Sequence, residues 1–92
     1  MKISYAITVC NEFIEIQKLI PILLKLKRLE DEIIVLFDKT HGSKSVETFL
    51  RSKSVNAEFA WYSDNFNNHF ADWKNKLTSF CSGDFIFQID AD

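Results

Sequence analysis

The chain has 92 residues, 47% of them hydrophobic, with nine Phe and two Trp, and 11 basic residues against 13 acidic ones give a net charge of −2. That is the length of one domain (1-92), with enough apolar content for a packed core, so disorder is excluded. The charge balance offers no electrostatic ground for a nucleic-acid partner, and Cys10 and Cys81 form neither a disulfide framework nor a metal-ligand spacing, reading instead as small buried residues of a reducing compartment.

Met1-Lys2 leads straight into an apolar run, with no signal peptide and no stretch long enough to span a bilayer, so a cytoplasmic chain is expected. Ile3 to Cys10 is rich in strand formers. Asn11 then offers a helix N-cap, with Glu12 and Glu15 placed for the first turn. Ile16, Leu19, Ile20, Leu23 and Leu24 recur at helical spacing up to the basic end Lys25-Leu26-Lys27-Arg28, and Pro21 inside that pattern predicts a kink or a division. Glu32 to Phe37 has no polar alternation, as expected of a strand covered on both faces.

Asp38 to Ser43 is a predicted loop, after which Ser43 or Ser45 caps a helix with Val46, Phe49 and Leu50 on its apolar stripe. Asn56 to Trp61 is a weaker third strand, and Tyr62 to Asn67 a polar loop. A third helix is predicted from about Asn68 to Cys81, burying Phe70, Trp73, Leu77, Phe80 and Cys81 and closing at Gly83. Asp84 to Ile89 is the fourth strand. This β-α-β-α-β-α-β order predicts a three-layer α/β/α fold with a four-stranded parallel sheet, order 3-2-1-4, joined by right-handed crossovers. The apolar fourth strand lies at an edge of that sheet, which invites self-association.

The fourth strand runs into Asp90-Ala91-Asp92. Two carboxylates separated by one small residue form an oxygen-rich corner of the kind Mg²⁺ or Mn²⁺ prefers. Taken alone, such a triplet is more often a turn or a pair of solvated loop charges. In a parallel sheet the C-terminal strand ends share one edge, which gathers Thr8 to Glu12, Asp38, the loop after Trp61 and Asp90 to Asp92 around a crevice. Neither a dinucleotide-binding glycine fingerprint nor a P-loop occurs. Each candidate also has a plainer reading: Asn11 as a cap, Glu12 as a first-turn acid, Asp38 as a turn residue, Lys74 as a solvated charge. His41 and His69 read as surface residues, Phe70 and Trp73 as core.

Four segments together resemble family 2 glycosyltransferases. Ile3 to Glu12 is similar to that family's opening strand with Asn-Glu, and Asp38 with Gly42-Ser43 to its Asp-Asp-Gly-Ser segment. Phe70 to Leu77 is similar to its helix with a basic residue and Asn, and Ser82 to Asp92 to its Gly-Asp strand entering the D-x-D motif. The resemblance spans the chain in order. It implies the nucleotide-sugar-binding half of a GT-A domain, acting on a nucleoside-diphosphate sugar of UDP type with Mg²⁺ or Mn²⁺. Thr8, Asn11 and Glu12 would then line the nucleoside pocket, Asp38 would accept a pyrimidine N–H, and Lys74 would face base or diphosphate. Asp90 would sit by the ribose, and Asp90 with Asp92 would hold the metal.

Phe37, the longer loop Lys39-Thr40-His41, and Cys10 in a place commonly aromatic are departures from that family. The family's acceptor site and catalytic base lie beyond its D-x-D, so the 92-residue chain alone is expected to transfer no sugar. Two other functions fit the same strand pattern. One is a non-enzymatic nucleotide- or metal-binding module, the other a response-regulator-like domain using Asp38 and the D-x-D acids around Mg²⁺.

Overall fold

Seven elements alternate in the computed structural model, which describes residues 1–55 and 59–91: β1 (Ile3–Val9), α1 (Phe13–Leu26), β2 (Glu32–Asp38), α2 (Lys44–Lys53), β3 (Ala60–Asp64), α3 (Phe70–Ser79) and β4 (Phe85–Asp90). The four strands form one parallel sheet in the order β3-β2-β1-β4, as the sequence pattern predicts. The predicted start of the third strand at Asn56 and the D-x-D residue Asp92 lie outside the described residues. Among the described residues no helix is long and apolar enough to cross a membrane.

β2 is buried along almost its whole length, as its unbroken apolar run requires. Alternate residues divide the core between the two faces. Tyr5, Ile7, Val9, Ile33, Val35 and Phe37 pack under α1 and α2, meeting Ile16, Ile20, Leu23, Val46 and Leu50. On the opposite face, Ala6, Ile34 and Leu36 pack against Trp73 and Leu77 of α3. The result is three layers, with one helix alone covering the second face.

Local structure departs from the sequence reading at several points. Asn11 is exposed and does not cap α1; Glu12 holds the cap position, and its side chain instead accepts the Cys10 N–H at 2.9 Å. Pro21 does not divide α1, which runs unbroken through it. Both Pro21 and Gln17, whose carbonyl loses its usual donor there, are exposed, so water can serve the freed oxygen. β3 extends through Asp64, three residues into the predicted loop. Cys10 and Cys81 are half-buried rather than buried.

α3 ends at Ser79, so Gly83 is not its glycine stop. A Cβ on Gly83 would collide with the Oγ and backbone nitrogen of Ser4, and the Gly83 N–H donates to that Oγ at 2.8 Å. The close approach belongs to a polar clasp at the N-terminal edge of the sheet. There Glu32 accepts from Ser4 Oγ and from the Ser82 N–H, both at 2.6 Å. Beside it, the buried Asp31 carboxylate accepts from the Ile3 N–H and from the backbone and guanidinium of Arg28. The opposite edge of the sheet is thereby left to the loops.

Candidate functional site

A cleft of about 430 Å³ opens at the C-terminal edge of the sheet. Strand order reverses between β1 and β4, because α1 leaves β1 on one face while α3 enters β4 from the other. Loops diverge at such a point and leave a crevice. Five of the sequence-predicted residues line it: Thr8, Glu12, Asp38, Lys74 and Asp90. Asn11 does not.

The register sets the first contact. Thr8 and Asp90 are paired across β1 and β4, and the Thr8 hydroxyl donates to Asp90 Oδ1 at 2.9 Å. Lys74, one residue beyond the buried Trp73 on α3, reaches the same oxygen at 2.5 Å. The Lys74 ammonium first, and the Thr8 hydroxyl second, hold the Asp90 carboxyl below its ordinary range. Asp90 is exposed, so this pair offers a cation and an anion side by side to whatever enters the cleft.

Asp38 is different in kind. Its side chain is only 8% exposed. Oδ1 accepts from the backbone N–H groups of Thr40 (2.9 Å), His41 (3.3 Å) and Phe66 (3.3 Å). Oδ2 faces His41 Nδ1 at 2.9 Å and the Cys10 thiol at 3.9 Å. Burial alone would raise this carboxyl, but the His41 ring and the backbone donors outweigh it and hold it below its usual value. The same burial, with the Asp38 and Glu12 charges nearby, pushes the Cys10 thiol up and away from thiolate chemistry. Asp38 therefore ties the β2–α2 loop to the β3–α3 loop. Gly42 completes the turn, since a Cβ there would strike the Asp38 carbonyl and the Phe37 ring. The Ser43 N–H then donates to the Cys10 carbonyl at 3.2 Å, closing the loop onto β1.

Several lining residues escaped the sequence reading. His41, read there as a surface residue, lines the cleft through its pairing with Asp38. Phe70, read as buried, is 70% exposed at the rim, while Trp73 is core as expected. Phe66 links the two, with its ring centroid 5.0 Å from that of Phe70 and 5.5 Å from that of Trp73. Asn68, which also lines the cleft, holds φ at 69°, a left-handed conformation that Asn tolerates better than most residues. A loop asparagine just before a helix was the one available signal for that turn.

Among the described residues, no three His, Cys, Asp or Glu side chains gather to hold a metal ion. Asp90 supplies one carboxylate, and any second from Asp92 lies outside the described residues. No family model, curated protein or solved structure matches the chain. The fold and cleft define a parallel α/β domain with a crevice at its switch point, and the functional reading rests on what that crevice presents.

Proposed function

We propose that this chain is the nucleoside-diphosphate-sugar-binding portion of a metal-dependent glycosyltransferase. One observation carries the reading: Thr8, Glu12, Asp38, Lys74 and Asp90, chosen from four separate segments of sequence, meet in one cleft at the C-terminal sheet edge. The parallel sheet by itself brings the strand-end residues to this edge, and Lys74, from within α3, joins them on the Asp90 carboxylate. The Lys74 ammonium is placed to oppose a diphosphate, and on doing so it would release Asp90 Oδ1. Asp90 and Asp92 would then hold Mg²⁺ or Mn²⁺ together with phosphate oxygens and water, as hard cations favour. Charge on a departing nucleoside diphosphate is stabilised by fixed cationic groups, and Lys74 is this chain's own contribution to that.

The response-regulator alternative loses ground because both oxygens of the buried Asp38 carboxylate already face donors of their own loops. The non-enzymatic module shares the same ligand and separates from the transferase only by turnover. Calorimetric titration of UDP with and without Mn²⁺ tests the shared claim. Each ligand should tighten the other, and Lys74→Met and Asp92→Ala should each weaken the pair. Equal Mn²⁺ binding with and without UDP, or parental binding by Asp92→Ala, overturns the donor-site reading.

A further inference from the structure

We infer that the ring of the bound nucleotide is gripped by stacking on Phe70, so that this cleft accepts nucleoside diphosphates with little regard to the base. The inference rests on the donor-site reading and goes beyond it by naming how the base is held. The first observation is the state of Asp38. A carboxylate has about four lone-pair sites, and this one faces three backbone N–H groups, an imidazole nitrogen and a thiol at 8% exposure. Its oxygens are turned to the donors of its own loops, which leaves it little with which to read a base edge. A carboxylate committed to its own turn does not select uracil through the pyrimidine N–H.

The second observation is Phe70. It lines the cleft and is 70% exposed, while the adjoining Phe66 and Trp73 are packed. Its ring is braced by Phe66 at 5.0 Å, and Phe66 is braced edge-on by Trp73 at 5.5 Å. The positive φ at Asn68 fixes the chain direction two residues before Phe70. A rigid, exposed aromatic face beside the Lys74 cation is the arrangement that binds a planar ring whose phosphates lie nearby. Stacking tolerates every base, because every base has a π face.

The experiment compares UDP, CDP, ADP and GDP, each with Mg²⁺, against pyrophosphate with Mg²⁺ as a probe lacking a ring. The parent should bind the four nucleotides within about tenfold of one another. Phe70→Ala should weaken all four by about tenfold or more, the scale of a lost base–aromatic stack, leave pyrophosphate unchanged, and be rescued by Phe70→Tyr. Since Phe70 is exposed, its circular dichroism should match the parent. Asn68→Val, which opposes the left-handed turn, should mimic Phe70→Ala, while Asn68→Gly should not. A UDP preference above about a hundredfold, or nucleotide binding unchanged in Phe70→Ala, overturns the stacking inference alone. Pyrophosphate binding with no gain from any nucleotide also overturns it while sparing the phosphate site. Binding of neither nucleotide nor pyrophosphate overturns the donor-site reading and this inference with it.

Discussion

Replacing Asp38 is the sharpest perturbation of the cleft, because one carboxylate holds two loops. Asp38→Ala removes the acceptor for the N–H groups of Thr40, His41 and Phe66 and for the His41 ring. A hydrogen bond to a charged group contributes about 1.5–3 kcal/mol, but the turn lies near the surface and water recovers much of this, so about 3 kcal/mol in total is expected. For a domain of this size that corresponds to a fall in Tm of roughly 12–24 °C. Asp38→Asn keeps one acceptor oxygen and should lose about 1 kcal/mol. His41→Ala removes only a bond from a ring whose side chain is 54% exposed, so it should change stability by about 1 kcal/mol or less. Urea and thermal denaturation give the ranking, and amide exchange gives the location: Thr40, His41 and Phe66 should lose protection together in Asp38→Ala. A Tm within a few degrees of the parent, with those three amides still protected, would refute the tie between the loops.

Acid should weaken the fold from about pH 4 downward. Asp31 is lowered chiefly by the Arg28 guanidinium, and Glu32 lies below its ordinary value because its Ser4, Ser82 and Lys2 partners outweigh burial. Groups with depressed folded pKa values contribute fully above their unfolded values near 4 and lose that contribution as pH falls through the folded ones. Asp31→Asn should therefore be less stable at pH 7 and show a shallower acid slope in denaturation at pH 7, 4 and 3; a slope equal to the parent's contradicts this. Leu77 is fully buried in the small core under α3, so Leu77→Ala should cost about 2–5 kcal/mol and raise the exposure of Trp73, read by its fluorescence. β4 is an edge strand with Phe85 and Phe87 exposed at 56% and 60%. Sedimentation should show concentration-dependent dimers that Phe87→Lys abolishes; a strictly monomeric parent at millimolar concentration counts against this edge pairing.

The sheet was legible because strand burial writes itself into composition. β2 has no polar alternation and is central, whereas β4 follows the last helix and returns to the far side of β1 by the crossover rule. Once the strand ends were placed, Thr8, Glu12, Asp38 and Asp90 fell on the cleft with them, whereas Lys74, within α3, was singled out by the family resemblance alone. The saturation of Asp38 was not legible, since one of its donors, the Phe66 N–H, comes from 28 residues away and the others depend on the local turn. Asn11 misled because a capping residue type is no guarantee of a capping backbone; helix geometry begins one residue later than its side chain could serve. Phe70 misled because its helical spacing with Trp73 and Leu77 matches a buried stripe, while the helix begins at Phe70 itself and its side chain clears the sheet.

Paramagnetic broadening by Mn²⁺ in the presence of UDP, read on backbone amide signals, tests the donor site most directly. The amides of Thr8, Cys10, Lys74 and Asp90 should broaden only when both ligands are present. Those of Lys2, Gly83 and Asp84, at the other end of β1 and roughly 20 Å away by strand rise, should stay sharp. Broadening that ignores UDP, or that centres on the Glu32 and Asp31 edge, would contradict a nucleoside-diphosphate site at the C-terminal strand ends.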